Sequence, residues 1–120
     1  MIIGISAFEK DITKPLAPRL GRCRNFLIYN LATETYTWQD NINSMDAPQG
    51  AGIQAAQNLI DQEVSAVITG HCGPKAFTVL NSAKIVVYTA AEISCADAVE
   101  AFQQNRLEKM EQADVEGHWV

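Results

Sequence analysis

At 120 residues with 48% apolar side chains, the chain has room for one globular domain and enough apolar surface to bury a core without staples. Net charge is -5, yet residues 1–30 carry five Lys or Arg against two acidic groups, so the cations form a local patch that suits a small anion and excludes a broad nucleic-acid-binding face. Three widely spaced cysteines without a CxxC pair exclude a disulfide framework and a structural zinc site, while the absence of an apolar run of ~20 residues or an export signal after Met1 leads us to expect a cytoplasmic protein with no membrane contact.

Ile2 to Phe8 reads as a short apolar strand, and Glu9 to Gly21, with Pro15, Pro18 and interspersed charges, as a long loop. Arg24 to Leu31 and Thr35 to Gln39 are rich in aromatic and β-forming residues and predict an antiparallel hairpin. Asp40 to Gly50 is a polar loop, after which Ala51 to Gln62 places Ile53, Ala56, Leu59 and Ile60 on one helical face. A β-α rhythm follows: strand Val64 to Thr69, helix Pro74 to Ala83, strand Ile85 to Tyr88, and a helix capped by Ser94 that carries Ala98, Val99 and Phe102. The pattern predicts an α/β fold, a mixed sheet of about five strands flanked by helices. Residues 1–106 form the single domain and 107–120 a polar, mobile tail whose Trp119 could fold back. Ligands of such sheets bind beyond the carboxyl ends of the strands, which directs attention to Phe8 to Gly21, Ser44 to Gly52 and Gly70 to Lys75.

Gly70-His71-Cys72-Gly73-Pro74-Lys75 follows a buried-strand pattern and opens a helix. Pro74 suits the first helical position, the glycines allow close backbone approach, and the helix start offers N–H groups to which Lys75 adds a full charge. His71 and Cys72 are soft donors for a metal or a sulfide. The alternative is a tight turn with a buried Cys72 and a surface His71. Arg19, Gly21 and Arg22 form a second candidate, two guanidinium groups able to clamp a thio- or oxo-anion, or else to pair with nearby carboxylates. Gly50 and Gly52 begin the first helix, either as a third wall of the same site or as an ordinary loop-to-helix junction.

Taken in order, IIGIS, PRLGRCRNFLIYNL, QGAGIQAAQNLI and VSAVITGHCGPKAFTVL resemble the dinitrogenase iron-molybdenum cofactor biosynthesis family, which includes cofactor carriers and the orange proteins. Leu20 stands where that family more usually has phenylalanine, which would reshape the pocket wall. The segment GHCGPKAF is similar to the orange-protein branch, whose members bind a mixed molybdenum-copper sulfide cluster noncovalently. The resemblance implies a ribonuclease H-like fold and a carrier of an anionic metal-sulfide cluster, with Arg19, Gly21, Arg22, Gly50, Gly52, Gly70, His71, Cys72, Gly73 and Lys75 as the binding set and His71 and Cys72 as metal ligands.

Three rival functions are open to the same residues. A hydrolase or sulfur transferase would use Cys72 with His71 as base, but no third orienting group stands near them in sequence. A nuclease of this fold needs clustered carboxylates, and Ile2 to Phe8 holds none. A partner-binding module acting with a cluster-handling ATPase or a regulator would keep the cluster secondary. Carriage without catalysis accounts for the most features.

Overall fold

The computed structural model describes residues 1–41 and 50–112. Strands β1 (Ile2–Ala7), β2 (Asn25–Asn30) and β3 (Thr35–Asp40) precede helix α1 (Ala51–Asp61). Then come β4 (Ala66–Thr69), α2 (Pro74–Ser82), β5 (Val86–Thr89), α3 (Cys95–Gln103) and β6 (Glu108–Lys109). They form one mixed sheet in the order β3-β2-β1-β4-β5-β6. The β1-β2 and β2-β3 pairs are antiparallel, whereas β1-β4 and β4-β5 are parallel. This is the ribonuclease H-like arrangement that the resemblance implies.

Hairpin geometry follows from Asn30, whose Oδ1 accepts from the Ala32 amide at 2.9 Å and whose carbonyl accepts from Glu34 N at 2.9 Å. An asparagine side chain mimicking a backbone turn fixes the return of the chain, and so the pairing of Leu27 with Trp38 and Tyr29 with Tyr36. Period-two alternation then sends Phe26 and Ile28 to one face and Leu27 to the other. On the first face Leu59, Ala55 and Ala56 of α1 and Leu80 and Ala76 of α2 pack over Val67 and Val87. On the second, Cys95, Ala98 and Val99 of α3 cover Ile3, Ile5 and Ile68. The parallel strands demand crossovers, and α1 and α2 supply them.

Residues 9–19 run as loop but are stitched down on both sides. Leu16 N donates to Ile93 O at 3.0 Å, Cys95 N to Lys14 O at 3.0 Å and Ala96 N to Ile12 O at 2.9 Å. Leu16 and Ala17 are buried. The sheet has six strands where about five were expected. The added pair is two exposed polar residues, Glu108 and Lys109, lying antiparallel to Tyr88 and Thr89. They are carried there by a left-handed Asn105 (φ 57) that ends α3, with Arg106 N donating to Ala101 O at 2.9 Å. Asparagine adopts that backbone readily. Met110 is buried in the core and its amide donates to Val87 O at 2.8 Å, so core packing continues past Arg106 as far as this residue. Trp119 lies outside the described residues.

Ser94 caps α3 as its sequence position suggests, its hydroxyl accepting from Asp97 N at 3.0 Å. Ser94→Ala is therefore expected to lower the stability by about 1 kcal/mol, with Ser94→Asp near wild type, read from urea midpoints. An unshifted midpoint for the alanine variant would show that the cap contributes nothing.

Candidate functional site

The site is built outward from the ends of β1 and β4. Ser6 on β1 and Thr69 on β4 are fully buried, with their hydroxyl oxygens 2.9 Å apart. Ser6 Oγ donates to Ala17 O at 2.7 Å while Ala17 N donates to Ser6 O at 2.8 Å. Two bonds to one residue pin the loop just ahead of the arginine turn. Beyond that point Arg19 bridges His71 in parallel register, and Leu20 N donates to His71 O at 3.1 Å. The chain at Pro18 lies so close that a Cβ on Gly70 would stand 2.6 Å from Pro18 O. Only glycine lets the two backbones meet there.

A single 3-10 turn, Leu20–Arg22, then lays the arginine segment across the start of α1. A Cβ on Gly21 would come within 2.9 Å of Gly52 N and 3.0 Å of Gly52 Cα, and a Cβ on Gly52 within 3.2 Å of Ala76 Cβ. Three expected segments thus converge: turn 19–22 on α1, and α1 on α2. Gly50 (φ 78) and Gly73 occupy the capping positions of α1 and α2, so neither helix start receives a side-chain cap, and neither first turn contains an acid. The partial positive ends of two helices therefore lie side by side. Between them opens a cavity of about 310 Å³ lined by Gly50, Gly52 and Ile53 on one side and by residues 73–76 on the other. A Cβ at Gly73 would meet nothing within 4 Å. This volume is at the small end of ligand pockets.

Residues 1–105 match the family described as dinitrogenase iron-molybdenum cofactor. The chain belongs to that family. The apo orange protein of Desulfovibrio gigas superposes with a TM-score of 0.92 at 30% identity, over 95% of this chain and 96% of that one. A Thermotoga protein described as of NifB type gives 0.84 at 26% identity, over 97% and 98%. An uncharacterised Methanocaldococcus jannaschii protein is 30% identical over 98 residues, 80% of this chain and 83% of its own.

Several expected members of the iron-molybdenum cofactor family's binding set lie outside the cavity, and for Cys72 the structure has the buried alternative. Leu20 does not form the pocket wall. It is 1% exposed in the core on the α1-α2 side, where Cys23 Sγ lies 3.4 Å from its carbonyl oxygen. Cys72 is fully buried among the same core residues, and burial pushes its thiol up to about 12. Neither Cys72 nor the half-buried His71 lines the cavity, and ligation by Cys72 would require the sulfur to leave the core. Among the described residues no three of His, Cys, Asp and Glu gather as a metal site. Arg19 is exposed and Arg22 half-buried on the turn that backs α1, and Gly70 is buried as the contact for Pro18. Positions 44–49 of the expected third loop lie outside the described residues.

The wall residue that the sequence assigned elsewhere is Ile53. Its spacing groups it with Ala56 and Ile60, yet it is 37% exposed and faces the cavity, because Ala51 and Gly52 make the close contacts of that turn. An isoleucine one residue after a Gly-x-Gly helix start was the available signal, since a first turn tucked against another loop leaves its third residue outward.

Proposed function

We propose that this chain binds and carries an anionic metal-sulfide cluster, of molybdenum-copper or iron-molybdenum type, without catalysing a reaction. The observation that carries the reading is the pair of acid-free, side-chain-uncapped helix starts, with the arginine turn packed against the first turn of α1. First-turn amides such as those of Ile53, Lys75 and Ala76 have no intrahelical acceptor, and with the Lys75 ammonium they suit a multiply charged anion. Ile53, Pro74 and Ala76 add an apolar wall. Large sulfide-coated anions lose less hydration on such a wall than compact oxyanions do, which fits a thiometalate better than phosphate. Support also comes from the likeness to the orange protein.

The cluster is then cargo held by hydrogen bonds and charge rather than by protein ligands, consistent with the buried Cys72. A Cys72-dependent sulfur transfer finds no support, because a thiol held near 12 supplies almost no thiolate at neutral pH.

The test is uptake of tetrathiomolybdate with copper by apo protein, with molybdenum measured after ultrafiltration. Retained molybdenum supports the proposal, and molybdenum wholly in the filtrate refutes it. Arg22→Ala should weaken retention about tenfold, as expected for losing one charge-assisted contact, whereas Arg106→Ala should leave it unchanged. Equal affinities of the two variants would remove the arginine turn from the site.

A further inference from the structure

Among the described residues, the side of the sheet that carries α3 is only half covered. Among the described residues α3 is the one helix on that side, packed over β1 and β4. Next to it β2 and β3 present Tyr29, Tyr36 and Trp38, a continuous aromatic strip: Tyr29 stacks on Tyr36 at 5.9 Å, and Trp38 meets Tyr36 edge-on at 6.1 Å. Tyr36 is 43% exposed. Between this strip and α3 runs a cavity of about 290 Å³, floored by Ile12, Leu27 and Tyr29 and rimmed by Asp97, Glu100 and Gln103. Two strands span about 10 Å, the width of one helix.

We propose that this groove docks a helix of a partner protein, with an apolar face turned to the tyrosines and Lys or Arg along the flank that meets α3. Charge complementarity selects that occupant. Among the described residues, both charged side chains lining the groove are carboxylates, and α3 itself contains no Lys or Arg. A second copy of this chain is a poor fit, since α1 and α3 lack basic residues and α2 offers only Lys75, which stands at the other site. The acidic rim also repels nucleic acid. Tyrosine and tryptophan supply rigid contact area of the kind that dominates protein interfaces. The groove lies on the sheet face opposite α1 and α2, so a bound helix would leave the cluster site open.

The experiment uses the full chain and a fluorescein-labelled 18-residue peptide with Leu on one helical face and Lys on the flanks, followed by anisotropy at physiological salt. A twin peptide with Glu in place of Lys is the control. The Lys peptide is expected to bind, the Glu peptide not. Glu100→Lys should weaken binding at least tenfold, while Glu111→Lys, the same charge change on another exposed residue, should weaken it less than twofold. Circular dichroism establishes that each variant is folded, and Tyr36→Ser supplies a second, uncharged lesion expected to cost about fivefold. Equal loss in Glu100→Lys and Glu111→Lys would overturn the proposal as general attraction to an acidic protein, and so would absence of binding by the Lys peptide. A concentration-dependent dimer in sedimentation that Glu100→Lys abolishes would also overturn it, by placing a second copy in the groove.

Discussion

Gly70→Ala is expected to destabilise the fold by about 1–3 kcal/mol and to abolish cluster retention in the fraction that remains folded. The added Cβ would stand 2.6 Å from Pro18 O and 3.1 Å from Pro18 Cα, and these are backbone atoms with little freedom to withdraw. Withdrawal is blocked because Ala17 is tied to Ser6 by two bonds and Leu20 to His71 by a third. The arginine turn can yield only by breaking one of those bonds, which would carry Arg19 and Arg22 away from α1. Gly73→Ala separates this effect from a general intolerance of substitution. Its φ of -67° is ordinary and a Cβ there meets nothing, so stability should stay within about 0.5 kcal/mol of wild type. Urea unfolding and molybdenum retention of the two variants check both halves. A Gly70→Ala protein of native stability and full retention would show that the close approach has no role.

Alkaline pH should unfold this protein unusually steeply. Cys23 and Cys72 are pushed up to about 12 and Cys95 to about 11 from an ordinary 9.0, chiefly by burial. Below pH 9 all three thiols are protonated in both states and stability is fully present. Above pH 9 the unfolded chain releases protons that the folded chain keeps, so stability falls as pH rises towards 11 and 12. Each thiol contributes a slope of up to about 1.4 kcal/mol per pH unit, and three together about 4, against a typical total of about 5–15. Urea midpoints from pH 8 to 10.5 should drop sharply, and Cys95→Ala should flatten the profile by about a third. Alkylation by iodoacetamide at pH 8 should be far slower than for free cysteine. Rapid alkylation or a profile unaffected by removing a thiol would contradict the buried placement.

Much of this molecule is legible in its residue pattern, for identifiable reasons. The hairpin shows because β2 and β3 are aromatic and β-branched around an asparagine turn, and α2 and α3 show because Pro74 and Ser94 mark their starts. Convergence of turns 19–22, 50–52 and 70–75 follows from β1, β3 and β4 running in one direction, which brings the segments after all three strands to one edge. Local pattern fails where tertiary contact decides. β6 is two polar residues placed by the left-handed Asn105, with no strand propensity to announce it. For Cys72 the motif left a ligand and a buried thiol both open, and the parallel extension at His71 decides for the core. Ile53 has core periodicity, but its turn is crowded by Gly21 and Ala76, so it faces the cavity. Each of these depends on which backbone lies alongside, information that one sequence window does not contain.

Backbone amide mapping tests the central claim most directly. Nitrogen-15-labelled apo protein titrated with tetrathiomolybdate and copper should show its largest amide shifts at Gly21, Gly52, Ile53, Gly73, Lys75 and Ala76, with Asp97, Glu100 and Gln103 unmoved. Shifts concentrated on α3, or spread evenly over the exposed surface, would contradict a cluster held between the two helix starts.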